Sequence, residues 1–179
     1  MEYFDADVRF PVSSEEMRRL GFAGFASLHE LEVGGRETFP PERIVLAASS
    51  DAEKLGRAAK NPKVKALLLR TFAADVASVR AAAENRKYFE IPVAPLLETQ
   101  GVQRAMLMSK MRIFIRLCLK HRAPFFIASQ ARNALMLRTP QEMIAIGMAL
   151  GLERDQAAWA VGEAPKALLG KGGNVTMVT

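Results

Sequence analysis

The feature that most limits the fold of this chain is a rhythm: short apolar segments of five to seven residues alternate with helical stretches, and most junctions carry a turn or capping signal. Tyr3–Arg9 alternates and stops before Pro11, which predicts a first strand. Ser13-Ser14-Glu15-Glu16 has the spacing of a capping box, and Gly21 ends the short helix that follows. Phe22–Leu28 predicts a second strand, after which Gly34-Gly35 and Pro40-Pro41 mark a loop. Arg43–Ala48, Val64–Leu69, Tyr88–Ala94 and Pro124–Ala128 predict four more strands. Helices are expected after Ser50-Asp51, from about Ala74 to Asn85, and from about Val102 to His121. Thr139-Pro140-Gln141-Glu142 opens another, with proline at its first position and Gly151 as its stop. Two more helices are expected over Glu153–Val161 and Ala164–Leu169. Strands and helices in this order imply an α/β fold with a mostly parallel sheet and right-handed crossovers. Periodicity alone leaves open whether the sheet closes into a barrel.

The rhythm fills residues 1–170, expected to be one domain, and Gly170-Lys171-Gly172-Gly173 opens a tail, 171–179, expected to lack fixed structure. Half of the residues are apolar, enough for a core that needs neither disulfide nor metal. Cys118 is the single cysteine, so no disulfide forms within the chain and a reducing compartment is expected. The acidic start, Met1 to Asp5, lacks the layout of a signal peptide, and no apolar run approaches the ~20 residues that cross a bilayer. A cytoplasmic protein without a membrane partner is the expectation.

Charge is unevenly placed. Residues 1–100 hold 14 Lys and Arg against 15 Asp and Glu, whereas residues 101–179 hold 11 against 4. Between Glu98 and Glu142 there is no acidic residue, yet Arg104, Lys110, Arg112, Arg116, Lys120, Arg122, Arg132 and Arg138 all fall there. A solvated helix face ordinarily mixes signs to gain i,i+4 pairs, and like charges at that spacing repel. A polyanion would offset the repulsion, which points to phosphate binding. On the long helix, Leu107, Met111, Phe114, Ile115 and Cys118 share one stripe, assigned to the core. Arg112, Arg116 and Lys120 form a ladder off that stripe, and a solubilising face is the plainer alternative. Ser129, Gln130, Arg132 and Asn133 follow a strand end, where α/β folds place binding residues, although loop-closing polar groups read the same way. Aromatic residues total only 7%, so contact with the nucleic-acid backbone is expected rather than base stacking.

Catalysis by the chain itself finds little support. His29 and His121 stand apart, and no metal-ligand spacing, Walker loop or nucleophile elbow occurs. Asp5 and Asp7 point to one face of the first strand and could hold a hard cation, but salt-bridging acids are the simpler reading. No catalytic residue, metal or cofactor is expected; a small metal-dependent barrel phosphoesterase is the alternative.

The second half resembles the archaeal ribonuclease P protein component 3 family, relatives of the eukaryal thirty-kilodalton subunit. The likeness runs in order through Phe89-Glu90-Ile91-Pro92-Val93-Ala94-Pro95-Leu96-Leu97, an Arg-bearing helix with Arg104 and Arg112, the strand Pro124–Ser129, and Leu137-Arg138-Thr139-Pro140-Gln141-Glu142-Met143-Ile144-Ala145-Ile146-Gly147 onward to Leu152. It covers about residues 86–169. The chain departs from the pattern at Gln130-Ala131, where the family more often has Gly-Ala. The resemblance implies a TIM-barrel-like fold of the polymerase-and-histidinol-phosphatase type without its metal ligands. It also implies a non-catalytic, RNA-binding subunit that braces the ribonuclease P RNA during 5′-end maturation of precursor tRNA, with a small partner protein and with Mg²⁺ on the RNA. Arg104, Lys110, Arg112, Arg116, Lys120, Ser129, Arg132 and Arg138 are the expected RNA-binding residues.

Overall fold

The computed structural model describes residues 1–34, 43–170 and 176–177. The loop expected at Gly34-Gly35 and Pro40-Pro41 lies mostly outside them. Five parallel strands form one sheet in chain order: β3 (His29–Glu32), β4 (Val45–Ser49), β5 (Val64–Leu69), β6 (Tyr88–Pro92) and β7 (Phe125–Ala128). A second sheet joins β1 (Phe4–Asp5), β2 (Gly24–Phe25) and β8 (Thr176–Met177), with β1 and β2 parallel. The predicted first strand is therefore shorter in regular pairing than Tyr3–Arg9, although its backbone stays bonded on both sides further along. Val8 N–H donates to Ala26 O at 2.8 Å, and Arg9 N–H donates to Ala131 O at 2.8 Å. Gln130 N–H donates to Asp7 O at 2.9 Å, joining the end of β7 to β1.

The predicted second strand, Phe22–Leu28, stays on β1, and at a bend after it the chain passes to β4 as β3, a strand the sequence did not predict. Ala26 N–H still donates to Asp5 O, and His29 N–H already donates to Ile44 O ahead of β4. The two sheets thus meet at β1 and at this bend, and the parallel strands run round a barrel-like ring. Thr176–Met177 pairs antiparallel with β2, so these two residues of the tail are structured, unlike the expectation for 171–179.

Alternate strand residues serve two apolar layers, as a parallel sheet buried on both faces requires. Ala47, Leu67, Phe89, Ile91 and Ile127 pack with helical residues Leu55, Val79, Met111, Phe114, Met143 and Ala157. Leu46, Ala48, Ala66, Leu68, Tyr88 and Phe126 face the other side with Phe4, Ala6, Ala164 and Leu168. The helices outside are α1 (Ser14–Leu20), α2 (Ala52–Ala58), α3 (Val76–Glu84), α4 (Ala94–Glu98), α5 (Gly101–His121), α6 (Pro140–Ala149) and α7 (Arg154–Val161), whereas α8 (Glu163–Leu169) packs on the opposite side of the strands with Phe4 and Phe126. Residues 134–136 form a turn of 3-10 helix. Gly147 lets α6 sit against the strands: a Cβ there would meet Ile127 Cδ1 at 2.9 Å and the Ala157 Cβ at 3.0 Å. Both capping boxes read in the sequence form, Ser13 with Glu16 and Thr139 with Glu142.

At α6 the Thr139 hydroxyl accepts from Glu142 N–H at 3.3 Å, and the Glu142 carboxylate accepts from Thr139 N–H at 2.7 Å. Thr139→Ala removes the first bond and is expected to lower the unfolding free energy by about 1 kcal/mol, read by urea denaturation. An unchanged midpoint would mean that α6 does not depend on its cap.

Candidate nucleic-acid interface

Helix α5 leaves the end of β6 through α4 and returns across the outside of the sheet. Met111, Phe114, Ile115 and Cys118 are buried as the stripe predicts, and Leu107 is half-buried. The ladder faces outward, but its members differ. Arg112 Nε and Nη2 both donate to Ala149 O, at 3.0 and 2.7 Å, closing the C-terminal end of α6. Lys110, Arg116 and Lys120 are exposed and form no hydrogen bond or ion pair among the described residues. They are the cations of the helix left to meet an external charge.

The remaining expected residues are more committed. Arg104 Nε donates to Thr99 O at 2.7 Å, tying the start of α5 to the turn before it. Arg138 donates to Leu135 O and Leu137 O at 2.9 and 2.6 Å. Arg132 pairs with Glu98, so the acid-free stretch of sequence meets an acid in space where the chain folds back on α4. Ser129 does not reach the surface. It is fully buried; its N–H donates to Asp5 Oδ1 at 3.0 Å and its hydroxyl accepts from Ala131 N–H at 3.1 Å. With those bonds made inside, it has nothing to offer RNA, and its place among the RNA-binding residues is corrected. Gln130 is buried too, with φ 48°, in the left-handed region that glycine occupies without strain. Here the side chain recovers a bond instead, Gln130 Nε2 donating to Glu90 Oε2 at 2.8 Å.

The salt-bridging reading of Asp7 holds, through Arg9, but sequence reasoning missed that this loop, Asp5, Asp7 and Glu90 form a buried group of charges where the ring closes. Asp5, Asp7 and Glu90 are at most 1% exposed. Asp7 Oδ1 accepts from Leu28 N–H at 3.1 Å, and its Oδ2 accepts from Arg9 Nε at 2.8 Å. Arg9 Nη2 also lies 2.7 Å from Glu30 Oε2 as an ion contact without hydrogen-bond alignment, and Glu30 in turn pairs with Arg70. Asp5 Oδ2 and Glu90 Oε1 have no hydrogen-bond partner among the described residues. Burial pushes the Asp5 carboxyl up to about 6. Burial, and then the charge of Asp7, push Glu90 well above the usual carboxylate range. Burial raises Asp7 as well, against the pull of Arg9. Among the described residues, no group of three or more His, Cys, Asp or Glu is arranged to hold a metal ion. The signal available in the sequence was the polar alternation Asp5, Asp7, Arg9 in a strand that otherwise reads as core.

A carboxyl whose folded pKa is raised takes up its proton on folding, so its stabilisation is complete below its unfolded pKa and is lost as pH rises through the folded value. For Asp5 that window runs from the ordinary 3.8 to about 6. Glu90→Gln keeps the acceptor for Gln130 and removes a buried acid. It is expected to flatten the fall in stability as pH rises above the ordinary carboxylate range, and to match or exceed the unaltered protein once Glu90 would be ionised. Urea denaturation as a function of pH measures it; parallel profiles for the two proteins would show Glu90 to be ionised throughout.

The family described as RNase P subunit p30 matches residues 43–174, reaching well back from the stretch where the sequence motifs lie. Ribonuclease P protein component 3 of Methanosarcina mazei is 33% identical over 134 residues, and that of Methanosarcina acetivorans 32% over 132. Each alignment takes in 71% of this chain and 55% of the relative, so the chain spans about half the length of the curated relatives it matches. A chain of the cryo-EM structure of archaeal ribonuclease P with mature tRNA superposes with a TM-score of 0.72 at 15% identity, over 92% of this chain and 93% of that one. At that identity the likeness is one of fold, and it agrees with the TIM-barrel-like architecture. No helix among the described residues is long and apolar enough to cross a membrane. With three quarters of its length matched by the family and its motifs lying on β6, β7 and α6, the chain belongs to the RNase P subunit p30 family.

Proposed function

We propose that this chain is an RNA-binding protein subunit of ribonuclease P, working in 5′-end maturation of precursor tRNA without catalysing the cleavage itself. Beside family membership, the observation that carries this reading is the pair of exposed cations on the second half of α5, Arg116 and Lys120, that have no counter-ion among the described residues. Each such cation held near a phosphate releases a condensed counterion, which drives binding and makes it sensitive to salt. Set on a rigid helix, Arg116 and Lys120 keep a fixed spacing against an RNA surface recognised by shape and backbone. The cations lower repulsion between packed phosphates and so favour the folded RNA. Cleavage belongs to that RNA and its bound Mg²⁺; the chain needs no cofactor of its own. Precursor tRNA is met indirectly, and a small partner protein shares the particle. The alternative of a metal-dependent barrel phosphoesterase draws no support from the family match.

Changing Arg116 and Lys120 together to Ala is expected to leave the melting temperature unchanged. Affinity for the ribonuclease P RNA should fall, with a salt slope shallower by roughly 0.7–0.9 for each phosphate that is no longer neutralised. In a reconstituted particle, cleavage of precursor tRNA should then need more Mg²⁺. Arg112→Ala, by contrast, is expected to lower stability by about 1 kcal/mol, because Ala149 O is left without both donors. An unchanged salt slope in the double variant would make α5 a merely solvated face, and cleavage by the isolated chain would end the non-catalytic reading.

A further inference from the structure

Helix α5 is apolar on two opposite sides, and the sheet covers one of them. At about 100° per residue, Val102, Met106, Ser109 and Ile113 fall within an arc of about 60°, turned away from Met111 and Cys118. Val102 is 75% exposed, Met106 58% and Ile113 44%. Between Gly101 and Lys110 no residue of the helix is buried, so this row stands free of the body of the protein. Its members step by four, three and four residues, the spacing with which one helix packs lengthwise on another, and Ser109 in the middle leaves room for close approach. A row of large apolar side chains kept in water along a rigid helix marks a docking surface.

Charge narrows the occupant. Lys110 borders the row on one side and Arg112 on the other, and no acidic residue occurs from Val102 to Gln141. A second copy of this chain packed on the row would bring the same cations against these with no acid between them. RNA has no use for Val102, Met106 and Ile113, and the cations suited to its phosphates, Arg116 and Lys120, lie beyond the row toward the other end of the helix. What fits is a protein helix with an apolar seam flanked by Asp or Glu. We infer that the Val102–Met106–Ile113 face of α5 docks an acid-flanked amphipathic helix of another protein subunit of the same particle. The inference rests on the ribonuclease P reading for the source of that partner, and it divides α5 into a protein-binding first half and an RNA-binding second half.

The test uses the full chain in a ribonuclease P particle assembled from the RNA and protein subunits of the same organism. A photo-crosslinking amino acid placed at Met106 should form an adduct with one protein subunit, mapping to a helix whose apolar row is flanked by acids. Met106→Glu should weaken binding of that subunit at least about tenfold, with melting temperature and RNA affinity unchanged because the side chain is exposed. Lys110→Glu should also weaken it, and the difference from the unaltered chain should shrink as salt rises. An adduct with RNA alone, an adduct with a second copy of this chain, no adduct in the assembled particle, or full affinity in Met106→Glu would each overturn the docking face while leaving the ribonuclease P reading in place. Failure of the unaltered chain to join the particle would instead overturn that reading, and this inference with it.

Discussion

Where the ring of strands closes, two buried carboxylates add to the main-chain bonds that hold it shut. Strand β1 contributes only Phe4 and Asp5 to a regular ladder, too little to anchor a sheet by pairing alone. Asp5 reaches across to the Ser129 N–H beyond β7, and Asp7 reaches across to the Leu28 N–H at the bend between β2 and β3. The acids therefore act as backbone acceptors, replacing ladder bonds that the curvature of the ring would leave unmade, and an unpaired buried N–H is costly. Everything outside depends on this: the position of β7 fixes the return of α5, and α5 carries the surface by which the protein meets its surroundings. Using acids for the task has its own cost, because a charged carboxylate resists burial. Arg9, linked onward to Glu30 and Arg70, offsets part of it, and the raised pKa values of Asp5 and Glu90 express the cost that remains.

Arginine chemistry on the outside divides the same way. Arg104, Arg112 and Arg138 end on main-chain carbonyls at helix or turn boundaries, where a planar fork can serve an acceptor left without a partner. The flexible ammonium groups of Lys110 and Lys120, with Arg116 and Arg122, are left to solvent. A basic stretch in a sequence thus contains two populations, one that finishes the fold and one that faces outward, and burial plus bonding separate them where charge alone does not.

How much of this could be read from the sequence follows from the range of the forces involved. Helices α1, α2, α3, α5 and α6 and strands β4 to β7 are written in local periodicity, caps and stops, and the structure places them within a few residues of expectation. The apolar stripe of α5 was legible for the same reason. Strand β3 was not, because His29-Glu30-Leu31-Glu32 holds two acids and a histidine and lacks the apolar alternation that marks a strand. Short α4 was missed because Pro95 and a five-residue length leave no period to detect. Ser129 looked available because a small polar residue after a strand end has the same local signature whether it faces solvent or a buried acid. Glu98 was counted as the border of an acid-free stretch, yet it sits on Arg132, a pairing of residues 34 apart that no window of sequence encloses.

The bond from Ser129 to Asp5 spans 124 residues. Such a contact cannot guide the early, local steps of folding, since the chain must surrender the freedom of the whole intervening loop before the bond returns anything. The strands between can collapse on their helices beforehand, pair by pair, but the cylinder is complete only when the two distant segments meet. Barrels assembled this way belong with slow, non-local topologies rather than with helical bundles. The bond that finishes the architecture is thus a late event, and the rate of reaching the native state is governed by a search over most of the chain.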